Sequence, residues 1–259
     1  MNYFTQSFAN AFQLILALDD ELYFVVWTSL KISVLSVLIA ATLCIPLGLL
    51  IASSKFPGKT VLQSILNTLM ALPTVVVGLL MFGLLGRQGP LGGWGLLYTQ
   101  TAIVIGQSLL IMPIVLNMVI SAANTADPRI RSTSIALGAS RFQQNMIFIS
   151  EVRFAMLAAI VASFGRAIGE VGIAMMLGGN IEGYTRTMTT AIALETSKGE
   201  LEFALALGIL LLLVAGLLAD AVDRRKLMMC TEIGLFGISL TLALLTFADQ
   251  ASPAMLYMG

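Results

Sequence analysis

Five long, almost uncharged apolar runs are the feature that most constrains how this chain can fold. They extend over about residues 25–52, 61–85, 101–123, 154–177 and 201–218. Each is close to the ~20 residues that a helix needs to cross the hydrocarbon core of a bilayer. Only 11% of the 259 residues are charged, which is too few for the surface of a soluble protein of this size. Because backbone groups in lipid must be satisfied internally, the runs predict an all-α membrane protein with a bundle of five core transmembrane helices.

Basic residues between the runs are distributed unevenly, and this distribution predicts the orientation of the chain. Cytoplasmic loops carry an excess of Lys and Arg. The segments 53–59, 124–153 and 223–226 hold nine of these residues, whereas the opposite loops hold three. The first side is therefore predicted to be cytoplasmic, with the N-terminus outside. The nine are Lys55, Lys59, Arg129, Arg131, Arg141, Arg153, Arg224, Arg225 and Lys226, and the three are Arg87, Arg186 and Lys198.

The positions of the apolar runs divide the chain into three parts. Residues 1–22 form an N-terminal surface segment, in which residues 5–18 are predicted to form a helix that either lies on the outer membrane surface or docks on the bundle. Residues 23–222 form the transmembrane domain. Residues 223–259 form a C-terminal extension, whose apolar stretch 231–248 is long enough to be a sixth span.

The cytoplasmic segment 124–153 carries the signals of a short helix. Asp127 followed by Pro128 is typical of a helix start, because a capping oxygen precedes a residue that has no N–H to leave unpaired. Gly138 is placed to end this helix in a left-handed turn. Such a helix could dock in the groove of a partner protein, or it could be only a connector. The sequence leaves both interpretations open.

Two oppositely charged residues, Arg166 and Glu170, are predicted to lie on one face of the fourth span. Their spacing of four residues lets the side chains pair, which offsets part of the cost of desolvation. Charged residues within a span are functional candidates. Arg166 would attract an anion, and Glu170 would hold the side chain of Arg166 in place. The alternative is a buried pair that only joins helices. The adjoining glycines, Gly165, Gly169 and Gly172, are better explained by close helix packing.

A second group of polar residues follows the fourth span on the predicted outer side. If a short helix begins near Thr187, its free N–H groups, the hydroxyls of Thr185 and Thr187, and Arg186 would form an entrance that favours anions. A capped and solvated loop is the alternative.

Several classes of function are disfavoured by what the sequence lacks. The chain has no His, and its two cysteines, Cys44 and Cys230, are far apart, so no metal or other cofactor is expected. The net charge is zero, which does not favour a nucleic-acid partner. The full phosphate-binding motif of ATPases does not occur, so any ATP would be hydrolysed by a separate subunit and the chain is not expected to be an enzyme.

The cytoplasmic segment resembles the coupling loop of importer permeases of the ATP-binding-cassette (ABC) superfamily. Gly138 and the residues Ala139-Ser140-Arg141-Phe142 match the centre of that motif. Ser132-Thr133-Ser134 stands where the family has Glu-Ala-Ala. The resemblance implies that these residues lie against an ATPase subunit and transmit its motion to the membrane.

Further stretches resemble the permeases for molybdate and tungstate, and the part over 164–195 is most similar to the tungstate type. The resemblance covers about residues 5–220 and implies the fold of a type I ABC importer permease, with a cytoplasmic coupling helix, in a bacterial cytoplasmic membrane. The stretches are Ala71-Leu72-Pro73-Thr74-Val75-Val76-Val77-Gly78, Gly86-Arg87-Gln88-Gly89-Pro90-Leu91-Gly92, Gly165-Arg166-Ala167-Ile168-Gly169-Glu170-Val171-Gly172, Met175-Met176-Leu177-Gly178-Gly179-Asn180-Ile181 and Tyr184-Thr185-Arg186-Thr187-Met188-Thr189-Thr190-Ala191-Ile192.

The resemblance also implies partners and a pathway. The partners are a cytoplasmic ATPase subunit, an outer solute-binding protein that delivers the oxyanion, and a second permease copy. Molybdate or sulfate is the alternative cargo, because all three are tetrahedral dianions. An ion-coupled secondary transporter is less favoured, because few spans carry charge and no internal repeat is evident. An intramembrane enzyme is less favoured, because the chain has no His and Arg166 with Glu170 is a poor catalytic dyad. The predicted pathway residues are Arg166, Glu170, Asn180, Thr185, Arg186 and Thr187, and the predicted coupling residues are Ser132, Thr133, Ser134, Gly138, Ala139, Ser140 and Arg141.

Overall fold

A computed structural model describes residues 3–54, 56–126, 129, 133, 136–138 and 140–220. The chain divides into a unit of residues 1–216 and a unit of residues 217–259, and the described residues of the second unit are 217–220. The predicted sixth span, 231–248, and the rest of the C-terminal extension lie outside the described residues. The helices are α1 (Tyr3–Leu16), α2 (Asp20–Ser53), α3 (Lys59–Met70), α4 (Thr74–Leu85), α5 (Gln100–Thr125), α6 (Arg141–Ile168), α7 (Gly172–Gly178), α8 (Met188–Lys198) and α9 (Leu201–Asp220), with a 3-10 turn at Gly92–Trp94.

Three of the described helices are long and apolar enough to cross a membrane. They are α2, α5 and the part of α6 from Ile147 to Ile168. The pair α3 and α4 adds a fourth span if the two are counted as one bent crossing. Helix α9 is apolar over the 17 residues from Leu201 to Leu217. The prediction of an all-α membrane protein is therefore confirmed for the described part of the chain.

The second apolar run, which was predicted as one span, is divided into two helices at Pro73, a residue that itself predicts a kink. Helices α3 and α4 meet at an angle of 94°. The break falls at Ala71–Pro73, where Pro73 has an extended backbone and precedes the first residue of α4. Proline has no N–H to continue the helical ladder, and its ring disfavours helical geometry at the preceding Leu72. One proline therefore divides an apolar run that is long enough to cross on its own.

The fourth span also differs from the prediction, because it begins and ends earlier in the chain. Helix α6 starts at Arg141 in the polar segment, where Ser140 and Gln143 form a reciprocal capping box. It ends at Ile168 rather than at Leu177. Residues 169–171 form an interruption, and the apolar residues that follow form the separate helix α7. Hydrophobicity alone did not show the interruption, because apolar residues continue on both sides of it.

Helices α2 and α5 form the most extensive helix pair in the described structure. Small polar residues of α2, such as Ser33 and Ser36, are buried against α5 and let the two backbones approach closely. The hydroxyl of Ser36 donates to the carbonyl of Ile32 in its own helix, so the side chain is not left unpaired. Helix α6 packs on both α2 and α5.

The N-terminal segment forms a helix, as the sequence predicted, and α1 docks on the start of α9. The side-chain amide of Asn10 donates to a carboxylate oxygen of Glu202 over 2.6 Å. Ser7 and Ala11 are buried, whereas Phe12 and Leu16 on another face are exposed. The docked side therefore supports the second of the two predicted roles, and the exposed apolar side leaves room for contact with lipid.

Close approach of α5 and α7 depends on the absence of a side chain at Gly106. A Cβ atom there would lie 2.6 Å from Cδ1 of Leu177 and 2.7 Å from Cγ2 of Ile173. Both of these residues are fully buried. Gly172 similarly lies against Thr74 at the start of α4, whereas a Cβ atom at Gly165 would meet no described atom within 4 Å. Packing thus explains Gly172 but not Gly165 within the described residues.

We expect the substitution Gly106→Ala to destabilise the protein by about 1–3 kcal/mol, because a buried core must shift to admit the methyl group. Gly83→Ala in α4 is the matched control, since a Cβ atom at Gly83 would meet nothing within 4 Å. Thermal unfolding of the two purified variants in the same detergent measures the difference. An unfolding temperature for Gly106→Ala equal to that of Gly83→Ala would contradict the close approach of α5 and α7.

Candidate functional site

The interruption between α6 and α7 places two opposite charges at two helix ends. Arg166 lies in the last turn of α6, where a positive charge is favoured by the helix dipole. Glu170 lies two residues before Gly172, the first residue of α7, where a negative charge is favoured. The guanidinium Nη1 of Arg166 is 2.6 Å from Oε2 of Glu170. The sequence thus predicted this ion pair correctly, although it placed both residues within one continuous helix.

The two members of this pair differ sharply in exposure. The side chain of Glu170 is 2% exposed, whereas that of Arg166 is 37% exposed. The neighbouring Gly165 and Gly169 are also exposed, so no bulky side chain of the helix covers the guanidinium from their positions. The guanidinium of Arg166 is therefore partly exposed and has one open face, while the carboxylate of Glu170 is buried.

Every polar group of Glu170 has a partner in the structure. Its second carboxylate oxygen, Oε1, accepts the backbone N–H of Ile173 over 3.2 Å, and this bond caps the start of α7. Its own N–H donates to the carbonyl of Ala167 over 3.2 Å. Its carbonyl accepts the hydroxyl of Thr189, in α8, over 2.8 Å. These bonds fix the carboxylate in a position from which it can orient Arg166.

Two predicted pathway residues on the loop between α7 and α8 differ in their surroundings: Thr185 is buried and paired, whereas Asn180 is partly exposed and has an unpaired side-chain oxygen. Thr185 is fully buried, and its hydroxyl donates to the carbonyl of Gly178 over 2.6 Å and accepts the N–H of Ile181 over 3.0 Å. Asn180 has a left-handed backbone, with φ of 51°. Its side-chain Oδ1 is buried with no hydrogen-bond partner among the described residues.

Arg186 is buried between two carboxylates, which changes what it can offer to an anion. Its Nη1 is 2.9 Å from Oε1 of Glu21 at the start of α2, and its Nη2 is 3.4 Å from Oε2 of Glu182. The side chain of Arg186 is only 8% exposed. Its Nε–H finds no acceptor among the described residues. Arg186 therefore links the loop between α7 and α8 to the start of α2.

Helix α8 begins at Met188, directly after Thr187, as the sequence predicted. Its first N–H groups, however, are already bonded. The N–H of Met188 donates to Oγ of Ser29 in α2 over 2.7 Å, and Thr187 forms a capping box with Thr190. The start of α8 is buried, so these groups tie α8 to α2. They are not free for an external anion in this conformation.

Comparison with known proteins identifies the class of this chain. Residues 44–226 match the family described as the binding-protein-dependent transport system inner membrane component. This chain belongs to that family. The permease is 38% identical over 215 residues to the tungstate uptake system permease protein TupB of Peptoclostridium acidaminophilum, which covers 83% of this chain and 94% of the relative. The sequence-based resemblance to ABC importer permeases is confirmed.

Two further similarities support the family and its fold. The permease is 38% identical over 194 residues to a probable anion ABC transporter permease protein of Haloferax volcanii, which covers 73% of this chain and 84% of that protein. A solved structure of a bacterial alginate ABC transporter, in complex with a periplasmic protein that holds an alginate pentasaccharide, has a TM-score of 0.64. It covers 81% of this chain and 80% of the matched chain at 19% identity, which shows the type I permease fold.

The predicted coupling segment of the permease is described in part. Arg129, Thr133 and Ala136 are helical, and the N–H of Leu137 donates to the carbonyl of Thr133 over 3.0 Å. Gly138 has φ of 75°, so the predicted left-handed turn is confirmed. Arg141 is the first residue of α6, and Ser140 caps that helix. Asp127, Pro128, Ser132, Ser134 and Ala139 lie outside the described residues.

Two functional candidates, Gln107 and Thr189, were missed by reasoning from the sequence, and one partial motif was passed over. Gln107 in α5 is 2% exposed and lies within an apolar run, and a buried amide in a span was the available signal. Thr189 gave no signal, because its bond to Glu170 joins α8 to the distant interruption. The triplet Gly58-Lys59-Thr60 has the last three residues of a phosphate-binding motif, but Ser53 replaces its first glycine. The amine of Lys59 donates to the carbonyl of Ala52 over 2.8 Å.

We expect the substitution Thr185→Val in the permease to lower the free energy of unfolding by about 1–3 kcal/mol. Valine keeps the shape of threonine but leaves the buried carbonyl of Gly178 and N–H of Ile181 without their partner. Thr185→Ser is the matched control, because serine keeps the hydroxyl. Unfolding of the purified protein in detergent gives the comparison. Equal stability of the valine and serine variants would show that this hydroxyl does not hold the loop.

Proposed function

We propose that this permease forms the membrane pathway of an ATP-driven importer for an oxyanion, most specifically tungstate. The half-exposed guanidinium of Arg166 at the interruption of α6 is the observation that carries this proposal. A positive group with an open face in a membrane span attracts anions. Similarity to a tungstate uptake permease and to a probable anion permease supports the same cargo class. Molybdate or sulfate is the alternative, because each carries the same charge in the same tetrahedral shape.

Because Arg166 is paired with Glu170, it is suited to bind an anion weakly and release it, rather than to hold it tightly. The pair is neutral overall, so a dianion meets one guanidinium whose charge is largely balanced by its own carboxylate. An unpaired arginine in a site of low polarity would hold a dianion strongly and slow its release. The orientation of the guanidinium is set from the buried side, and its open side is left for the cargo.

The permease needs partners to move its cargo against a gradient. We assign ATP hydrolysis to a separate ATPase subunit on the cytoplasmic side, in contact with the segment around Gly138, Ser140 and Arg141. A solute-binding protein on the outer side delivers the oxyanion, and a second copy of the permease completes the pathway. Membership in the binding-protein-dependent transport family supports the first two partners.

The remaining predicted pathway residues form the outer end of the proposed route. Asn180, Thr185, Arg186 and Thr187 lie in the loop between α7 and α8 or at the start of α8. In the described conformation their polar atoms mostly bond to the protein, so an anion would meet them only after the loop rearranges. We therefore propose that Arg166 and Glu170 are the primary pathway residues, and that the outer loop contributes in another conformation of the transport cycle.

Removal of both charges at the interruption tests this proposal more sharply than removal of one. We expect the double substitution Arg166→Met with Glu170→Gln to lower ATP-dependent tungstate uptake on the order of 100-fold in proteoliposomes that contain all subunits. Arg166→Ala alone should fail similarly, but it also leaves a buried carboxylate without its cation. The double variant, called the neutral pair below, carries no charge at either position and so avoids that defect.

Arg87→Ala, at an exposed arginine outside the interruption, is the control and should transport tungstate normally. Normal uptake by the neutral pair would assign Arg166 and Glu170 to helix packing alone. Uptake that needs neither ATP nor the ATPase subunit would contradict the importer mechanism itself.

The proposed orientation, with the N-terminus outside, predicts a pattern of chemical labelling. In a permease whose cysteines Cys44 and Cys230 are replaced by alanine, Gln13→Cys on an exposed position of α1 should react with a membrane-impermeant maleimide in intact spheroplasts. Thr60→Cys, exposed on α3 beside the turn that follows α2, should react only after permeabilisation. The reverse pattern would show the opposite orientation.

A further inference from the structure

Two side chains from neighbouring helices hold the backbone on either side of the interruption. The amide Nε2 of Gln107, in α5, donates to the carbonyl of Ala167 over 3.1 Å. The hydroxyl of Thr189, in α8, donates to the carbonyl of Glu170 over 2.8 Å. Both side chains are buried, with 2% of Gln107 and 8% of Thr189 exposed. Because α6 stops here, carbonyls at its end lack the intrahelical partners that a continuing helix would supply.

These two bonds converge on one residue, Glu170. The carbonyl of Ala167, which Gln107 holds, also accepts the N–H of Glu170 over 3.2 Å. The N–H of Glu170 thus shares the carbonyl of Ala167, in α6, with the amide of Gln107, while the carbonyl of Glu170 is bonded directly to α8. The Oε1 of Gln107 lies 3.2 Å from the hydroxyl of Ser36 in α2, where it is a further acceptor for that hydroxyl beside the carbonyl of Ile32. Three helices therefore fix the carboxylate that pairs with Arg166.

We infer that Gln107 and Thr189 are positioning residues for anion transfer, and that they act by holding Glu170 and thereby aiming the guanidinium of Arg166. This inference rests on the proposed role of Arg166 in the pathway. Neither side chain has a hydrogen bond to Arg166 among the described residues, so we expect each to act through the geometry of the interruption. The hydroxyl of Thr189 also lies 3.2 Å from that of Thr187. Loss of the Thr189 bond would leave the buried carbonyl of Glu170 without its side-chain donor, and loss of the Gln107 bond would leave the carbonyl of Ala167 with the N–H of Glu170 but without its donor from α5. Either loss would let the backbone of Glu170 move. The ion pair would then form in other positions, and the open face of Arg166 would no longer point consistently into the pathway.

The test uses the permease assembled with its ATPase subunit and its solute-binding protein in proteoliposomes, with tungstate as the cargo. We expect Thr189→Val and Gln107→Met each to lower the tungstate imported per ATP hydrolysed by about ten-fold, the effect of one lost buried hydrogen bond. Both substitutions nearly preserve side-chain volume. ATP hydrolysis stimulated by the solute-binding protein should stay within about two-fold of the parent, because the coupling segment is not changed.

Two further variants separate positioning from packing. Thr189→Ser keeps the donor and should transport as the parent does. Thr42→Val removes a hydroxyl that only bonds the carbonyl of Leu38 in its own helix, and it should also be neutral. A serine variant as defective as the valine variant would overturn the inference. The inference would also be overturned if the amount of assembled complex fell while the tungstate imported per ATP hydrolysed stayed unchanged, because that result indicates a folding role.

The neutral pair at Arg166 and Glu170 completes the set and separates two failures. If it loses transport while Thr189→Val and Gln107→Met keep the parental ratio, the positioning inference is wrong and the proposed pathway stands. If the neutral pair itself transports normally, the proposed pathway fails, and the positioning inference fails with it.

Discussion

The satisfaction of backbone groups at the interruption between α6 and α7 is the constraint on which the rest of the described structure depends. A helix that stops within a membrane protein exposes carbonyls and N–H groups that lipid cannot satisfy. Here the side chains of Gln107 and Thr189 and the carboxylate of Glu170 supply the missing partners. These partners come from α5, α8 and the interruption itself. The irregular backbone is thus tolerated because side chains from two helices, together with the carboxylate of the interruption, satisfy its polar groups.

Close packing around the interruption brings two helix starts together. Helix α4 begins at Thr74 after the bend at Pro73, and α7 begins at Gly172 after the end of α6. A Cβ atom at Gly172 would lie 3.2 Å from the hydroxyl of Thr74 and 3.3 Å from Oε1 of Glu170. Both broken apolar runs therefore resume side by side, next to the buried carboxylate. Negative charge is favourable near helix starts, which gives a physical reason for the position of Glu170.

The loop between α7 and α8 shows how burial changes what a charged residue can bind. Arg186 and Arg166 are both arginines near the ends of apolar segments, and the sequence suggested similar roles for them. In the structure Arg186 is enclosed by Glu21 and Glu182, while Arg166 keeps one open face. Glu21 is 165 residues away from Arg186 in the chain, so local sequence could not reveal this contact. Arg186 is an internal link in this conformation, whereas the guanidinium of Arg166 remains partly exposed.

Local chemistry in the sequence by itself determined much of this protein. Apolar runs predicted the helices and their location in a membrane, Gly138 predicted a left-handed turn, Thr187 predicted the start of α8, and the four-residue spacing predicted the contact between Arg166 and Glu170. These features depend on neighbours within one or two helical turns, and such neighbours are visible in the sequence. The tertiary structure decided where α6 is interrupted, which arginine stays open, and which side chains hold Glu170. Those outcomes depend on groups from distant helices, because only the folded chain brings Gln107 and Thr189 to the backbone that they satisfy.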